Sequence, residues 1–172
     1  MGIQQYYIDK KIKKALKKSI KAKVEKSLLK IDKIAIFVDE ESLFDEKEFR
    51  DLQKLIQLNN THFNILTFKI KKTSFNEFRG AVVVENDINW QGKITSKDVL
   101  EFLRKDYDLL IDYTQAKNQE KQLIISKINA PFKVGYKDNN DELYDFMINV
   151  NPSDITLFNK EMVHYLSILK LI

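Results

Sequence analysis

The fold is decided by residues 107–136, YDLLIDYTQAKNQEKQLIISKINAPFKVGY. Residues 109–111, LLI, form a short apolar run between two aspartates, which is typical of a buried parallel strand. A helix is predicted to follow and to end before Pro131, because its apolar residues share one face: Leu123, Ile124, Ile125 and Ile128. Residues 132–134, FKV, then predict a second strand that ends at Gly135. The stretch is therefore predicted to be a βαβ unit with a right-handed crossover.

Further strands and helices are predicted along the rest of the chain. The strands are residues 34–38, 63–70, 81–84 and 145–150, and the helices are residues 46–58, 97–105 and a C-terminal helix that begins after residue 153. Ser96 and Ser153 are the predicted N-caps of the last two helices. This succession predicts a three-layer Rossmann-like α/β domain with a mostly parallel sheet of five or six strands. The predicted strand order is 3-2-1-4-5, with the last strand at an edge.

The C-terminal helix is apolar around much of its circumference. Its apolar residues are Ile155, Leu157, Phe158, Met162, Tyr165, Leu166, Ile168 and Leu169. A helix of this kind must be covered on several sides. We expect it to pack against both the sheet and the N-terminal helix, and the alternative is that it forms the face of a homodimer.

Two resemblances to known families accompany this pattern. The strand–helix–strand pattern from YDLLID to KVGY, within residues 107–136, resembles one βαβ unit of the heptosyltransferase-type glycosyltransferases. Over nearly the whole chain, the sequence is similar to a Bacteroidetes family known only as a domain of unknown function. The segments that carry this similarity are the basic N-terminal helix, IAIFVDEES (34–42), INWQGK (88–93), YDLLID, FKVGY and YDFMINV (144–150). No activity is implied by it.

Composition places this chain of 172 residues among intracellular proteins. It contains no cysteine, which excludes disulfides, thiolate metal sites and a cysteine nucleophile. The basic N-terminus lacks the apolar core of a signal peptide, and no apolar run approaches the length of about eighteen residues that a membrane span needs. We expect a cytoplasmic protein in which residues 1–30 form a basic amphipathic helix and residues 31–172 form one Rossmann-like domain.

Positive charge is concentrated at the N-terminus. The net charge is +4, yet residues 1–30 hold ten lysines against Asp9 and Glu25, a balance of +8. The remaining residues hold 19 basic and 23 acidic side chains, a balance of −4. An anionic partner is therefore expected to meet the N-terminal segment first.

The N-terminal segment is predicted to be a helix over residues 4–29. Its larger apolar residues recur every four positions: Ile8, Ile12, Leu16, Ile20, Val24 and Leu28. Each step of four residues rotates this stripe by about 40°, so one flat surface cannot cover it. We expect one half of the helix to pack on the body, while the other half projects or lies partly free until a partner binds.

The lysines of this helix are the candidate nucleic-acid-binding residues: Lys10, Lys11, Lys13, Lys14, Lys17, Lys18, Lys21 and Lys23. Evenly spread lysines neutralise phosphates without reading bases, which favours RNA, most naturally that of the ribosome. Two alternatives stay open. The lysines form a solvated face with no partner, or the helix lies on an anionic membrane surface with Tyr6 and Tyr7 at its end.

A second candidate site lies where the predicted strands end. Asp39 and Asp112 follow the first and fourth strands, which flank the point where the strand order reverses, and Tyr113 and Thr114 come next in the chain. These carboxylates are candidates for a small-molecule or cation pocket, although aspartates at such positions also cap the following turn. Trp90 is interpreted as holding its loop against the body, with a stacking platform for a base or sugar as the alternative, which makes Trp90 a fifth candidate pocket residue.

The residue inventory indicates a protein without catalytic function. The four glycines, Gly2, Gly80, Gly92 and Gly135, are too far apart to form a dinucleotide or triphosphate loop, and the first βα turn contains none of them. The two histidines, His62 and His164, do not predict a triad or a zinc site. No catalytic residue, metal or cofactor is assigned. The predicted function is a non-enzymatic cytoplasmic accessory factor that docks on RNA, on the ribosome. A small-molecule-binding or degenerate glycosyltransferase-like domain and a peripheral membrane protein are the alternatives.

Overall fold

The computed structural model describes residues 2–25, 31–42, 44–56, 62–70, 80–115, 117–137 and 139–172, with side chains omitted for residues 18–25. Two predicted helix termini, Leu29 and Leu58, lie outside this described part, and so do the side chains of Ile20, Val24 and Leu28. No helix within it combines the length and hydropathy that a membrane span requires.

Six parallel strands form one sheet. They are β1 (Lys33–Asp39), β2 (His62–Lys69), β3 (Ala81–Val84), β4 (Leu109–Asp112), β5 (Phe132–Tyr136) and β6 (Phe146–Ile148), in the order β3-β2-β1-β4-β5-β6. The helices are α1 (Ile3–Glu25), α2 (Glu46–Ile56), α3 (Lys97–Arg104), α4 (Gln119–Lys127) and α5 (Ile155–Ile168). The three-layer Rossmann-like prediction and its strand order are confirmed, and the sheet is parallel throughout.

Helices cover both faces of the sheet because neighbouring strand residues point to opposite sides. In β1, Ala35 and Phe37 face a core that is completed by α1, α3 and α4. Ile34, Ile36 and Val38 face a second core that is completed by α2 and α5. In the part of the chain that the structure describes, α5 and α1 lie on opposite faces of the sheet, so the expectation that the C-terminal helix packs against the N-terminal helix is wrong there.

The predicted βαβ unit is β4–α4–β5. All three residues of the LLI run are fully buried, and Ile111 pairs with Val134 across the parallel strands. The Asn118 side chain begins α4 by accepting a hydrogen bond of 2.9 Å from the backbone N–H of Lys121. The helix ends at Lys127, four residues before Pro131.

Two predicted caps differ from the structure. Ser96 occupies the N-cap position of α3, but its side chain makes no capping hydrogen bond. Asp154, not Ser153, caps α5, accepting a hydrogen bond of 3.0 Å from the N–H of Leu157. The physical reason is a turn, closed by the Asp154 N–H on the Asn151 carbonyl, in which the Ser153 hydroxyl donates to the Asn151 side chain.

Truncation of the central strand should test this arrangement. Leu110→Ala removes a fully buried side chain and should lower the free energy of unfolding by about 2–5 kcal/mol. Leu157→Ala, on the exposed side of α5, is the control and should change it by less than about 0.5 kcal/mol. Equal urea midpoints for Leu110→Ala and the parent would contradict the central position of β4.

Candidate functional site

One face of α1 carries exposed lysines and the other is buried. Ile8 and Ile12 pack into the core, and α1 lies along α4. Four lysines with described side chains are exposed, Lys10, Lys13, Lys14 and Lys17, and Lys11 is half-buried. Because separations of three, four and seven residues keep side chains on one face of a helix, the four exposed lysines form a single stripe, which we call the lysine face.

The remaining candidate lysines, Lys18, Lys21 and Lys23, lie on the backbone of α1, but their side chains are outside the described part. The first turns of the helix therefore confirm that one half of α1 packs on the body. The placement of the second half stays a prediction.

Charges beside the lysine face leave it strongly positive. The carboxylate of Asp9 points toward α4, where it accepts a hydrogen bond of 2.8 Å from the Gln119 amide. On α4, burial and the nearby charge of Lys11 lower the pKa of Lys127. Cations are thus crowded along this edge of the molecule, while Asp9 turns away from it.

The loop that carries Trp90 closes against α1. Ile88 and Ile94 are buried and bridge each other, and the Asn89 side chain accepts hydrogen bonds from the N–H groups of Gln91 and Lys93 at 3.0 and 2.9 Å. Trp90 itself is 56% exposed. The residues around Trp90 therefore hold the loop, and Trp90 adds an edge-on contact with Tyr7 of α1. The interpretation of Trp90 as the side chain that anchors the loop stays a prediction.

Asp39 is paired with a lysine that the sequence analysis did not assign. Lys121 Nζ lies 2.5 Å from Asp39 Oδ2, and both side chains are nearly buried. The other carboxylate oxygen of Asp39 accepts hydrogen bonds from the N–H groups of Glu41 and Ser42 at 3.1 and 2.8 Å. Asp39 therefore caps its own turn, as the alternative interpretation predicted, and also neutralises a buried cation.

A cavity of about 220 Å³ opens over this ion pair. Its lining consists of Asp39, Glu40, Glu41, Phe68, Ile70, Gln115, Lys117, Asn118 and Lys121. It lies at the carboxyl ends of β1 and β2, where parallel sheets hold their ligands. Within the described ranges, no group of three acidic or histidine side chains is placed to hold a metal ion.

Asp112, the last residue of β4, is fully buried and is not part of the cavity lining. It accepts hydrogen bonds from the Tyr144 hydroxyl and, at 2.8 Å, from the N–H of Thr114. Burial raises the pKa of Asp112 to about 7, against the lowering effect of these two hydrogen bonds, and the charge of Asp39 adds to the rise. The Tyr144 ring in turn covers Gly135, where a Cβ atom would lie 2.5 Å from that ring.

The other predicted pocket residues lie apart from the cavity. Tyr113 stacks on Phe44 at 4.2 Å between ring centroids and donates a hydrogen bond of 2.5 Å to Asn159, on the α5 side of the sheet. Thr114 is fully buried beside Asp112. Trp90 contacts Tyr7 of α1. Of the five predicted pocket residues, the structure places Asp39 in the cavity wall and the other four elsewhere.

Lys121 and Tyr144 were missed by sequence reasoning, and one of them left a signal. Lys121 stands three, four and seven residues before Ile124, Ile125 and Ile128, so it lies on the apolar stripe of α4. A lysine in such a stripe needs a buried partner. Tyr144 gives no comparable signal, because its approach to Asp112 depends on where β6 follows β5.

A larger cleft of about 800 Å³ lies at the opposite ends of the strands, between α2 and α3. Three acidic and two basic side chains line it. Arg50 contacts Glu46 at 3.2 Å, and Lys105 donates to Asn64 at 3.0 Å. The charges of the described lining are therefore mixed and do not indicate one class of ligand.

Comparison with known protein families matches residues 4–169 to one described as "Family of unknown function (DUF6913)". No curated protein and no solved structure matches the chain.

The buried carboxyl group should make stability depend on pH. The pKa of Asp112 is about 7 in the fold against an ordinary 3.8, so folding favours its protonated form. Stability is lost as the pH rises between these values, by about 4 kcal/mol in total. Asp112→Asn removes this loss. The free energy of unfolding of the variant minus that of the parent should therefore increase by the same amount between about pH 4 and about pH 8.

Urea unfolding across this pH range measures the effect. Tyr144→Phe removes a hydrogen bond that lowers the pKa, so its loss of stability should continue to higher pH. Parallel pH curves for the parent and Asp112→Asn would contradict the assignment.

Removal of the buried cation should destabilise the fold through Asp39. Lys121→Met leaves that carboxylate nearly buried and unpaired, at a cost of about 3 kcal/mol. Adding Asp39→Asn should recover much of the loss, since the amide oxygen can still cap the turn. Lys117→Met, exposed in the same cavity wall, is the matched control. Additive effects in the double variant would show that the pair is not coupled.

Proposed function

The chain belongs to this family of unknown function. We propose that it is a non-enzymatic cytoplasmic accessory factor that uses α1 to dock on RNA, namely the RNA of the ribosome. A Bacteroidetes origin is part of the same proposal. The observation that carries it is the lysine face, which the packing of Ile8 and Ile12 turns toward solvent.

The geometry of this face fits a phosphate backbone. Its four lysines are spread over about 10 Å of helix axis, and no acidic residue stands between them in the sequence. Ammonium groups on flexible stems bind phosphates as point charges and need no fixed base geometry. Because the acidic balance of the rest of the chain repels polyanions, an RNA should approach with the lysine face in front.

Packing of α1 favours RNA over a membrane surface. A helix that lies in a membrane interface inserts a continuous stripe of apolar side chains, aliphatic and aromatic, among the lipids. In the described turns of α1, Ile8 and Ile12 are already buried in the protein core, and Ile3 is the exposed aliphatic side chain. No aliphatic stripe therefore runs beside the lysines in this region, and the exposed rings of Tyr6, Tyr7 and Trp90 form a short patch at the first turns rather than a stripe along the helix.

The cavity over the Asp39–Lys121 pair supports a second candidate function, a small-molecule-binding or degenerate glycosyltransferase-like domain. Its position at the carboxyl ends of the strands is where such domains hold ligands. Its volume of about 220 Å³ is below the range of about 300–1,000 Å³ for drug-sized ligands. A ligand here would have to be small, so RNA docking remains the proposal of choice.

A homodimer through the C-terminal helix remains a prediction. Leu157, Tyr165 and Ile168 are exposed along one side of α5, on the face of the sheet opposite α1. Such a dimer would leave the lysine face free on both copies.

Neutralisation of the lysine face tests RNA docking. The substitutions Lys10→Gln, Lys13→Gln, Lys14→Gln and Lys17→Gln retain helix propensity and remove four charges. Affinity for purified ribosomes should fall on the order of a hundredfold at physiological salt, and the slope of log K against log salt should become shallower by about 3 to 4. Co-sedimentation over a salt series measures both.

The matched control removes four exposed lysines from the body, Lys33, Lys97, Lys137 and Lys160, and should bind nearly as the parent does. Unchanged affinity and salt slope in the α1 variant would overturn the proposal. Release of that variant from anionic liposomes, with no ribosome binding by the parent, would assign the lysine face to a membrane instead.

A further inference from the structure

Three exposed aromatic rings adjoin the lysine face. Tyr6 and Trp90 are 57% and 56% exposed, and Tyr7 lies between them at 37%. Ring centroids are 5.7 Å apart for Tyr6 and Tyr7 and again for Tyr7 and Trp90, and both pairs are edge-on. We call these three residues the aromatic cluster. It joins the first turn of α1 to the loop between β3 and α3.

Neighbouring residues that are not part of the aromatic cluster hold it in place. Gly92 lies so close to α1 that a Cβ atom there would be 3.2 Å from Ile8 and 3.4 Å from Lys11. Its φ of +66° suits glycine, and its N–H closes the turn on the Asn89 carbonyl at 2.7 Å. Trp90 is therefore presented on a closed turn that is packed against the helix. These contacts close the turn without burial of the Trp90 ring.

The aromatic cluster and the lysine face form one surface. Lys10 follows Tyr6 by four residues and Tyr7 by three, and Lys14 follows Tyr7 by seven, so these side chains share a face of α1. From Tyr6 to Lys17 the surface extends about 16 Å along the helix axis. Proteins that bind single-stranded nucleic acid combine such a track of cations with aromatic rings on which bases stack.

From this surface we propose that the aromatic cluster is a stacking platform for unpaired bases of an RNA strand whose phosphates lie along the lysine face. The inference rests on the proposed function and adds to it the class of RNA, a single-stranded segment. Duplex RNA keeps its bases stacked inside the helix and offers mainly its phosphates and 2′-hydroxyls. A duplex can therefore use the lysines but cannot stack its paired bases on the rings.

The single tryptophan of the chain reports on its own site. Titration with a single-stranded oligouridylate of about ten nucleotides, within the site sizes of single-strand binders, should quench the fluorescence of Trp90. A duplex of equal length should bind more weakly and quench less. Anisotropy of a labelled strand gives the affinities of variants that lack Trp90.

Removal of the rings separates stacking from charge. Trp90→Ala and Tyr7→Ala should each weaken binding of the single strand about 5- to 150-fold and leave the salt slope unchanged, because no cation is lost. Trp90→Phe keeps a ring face and should retain most of the affinity. Tyr165→Ala, an exposed aromatic on α5, is the control and should bind as the parent does.

The outcomes distinguish this inference from the function on which it rests. If the ring variants bind like the parent while the lysine variant does not, stacking is overturned and RNA docking stands. If the parent binds neither RNA form, both are overturned. A shift of Trp90 emission to shorter wavelength on phosphatidylglycerol vesicles, with vesicle binding lost in Trp90→Ala and no binding to RNA, would assign the surface to lipid.

Discussion

The structure depends on the burial of α4 between the sheet and α1. Leu123, Ile124 and Ile125 are fully buried, and three consecutive helical residues span about 200° of the circumference, so α4 must be covered on more than one side. The sheet covers one side of α4, and the first turns of α1 cover another. The basic helix is thus part of the core for at least its first half, and the orientation of its lysines follows from this contact.

Polar contacts made by α4 and the loops beside it fix the positions of the two candidate sites. Gln119 holds Asp9 of α1, and Lys121 holds Asp39 of β1. The backbone carbonyl of Ile125 accepts a hydrogen bond of 2.7 Å from the buried ammonium group of Lys133. Since a buried charge without a partner is costly, each of these contacts restricts where its partner element can lie. The lysine face and the cavity are therefore set by the same helix.

The two candidate sites differ in how they treat charge. At the sheet end, Asp39 and Asp112 are satisfied by Lys121, Tyr144 and backbone N–H groups. These carboxyl groups are therefore already hydrogen-bonded, and a ligand would have to compete with existing hydrogen bonds. On α1 the four exposed lysines face solvent, where water is the competitor for an anion. This contrast is the physical reason for placing the function on the helix rather than at the carboxyl ends of the strands.

The sequence by itself determined the fold class, the strand order of the first five strands and the location of the positive charge. Short apolar runs such as LLI and the helix between them are local patterns, and a parallel pair needs a crossover, so residues 107–136 were sufficient to predict the βαβ unit. The tertiary structure decided the side of the sheet on which α5 packs, the partners of Asp39 and Asp112, and the exposure of Trp90. These depend on residues far apart in the chain, as Lys121 and Asp39 are, and on the approach of Gly92 to α1. No local period records such distances, because they arise only when the layers close on one another.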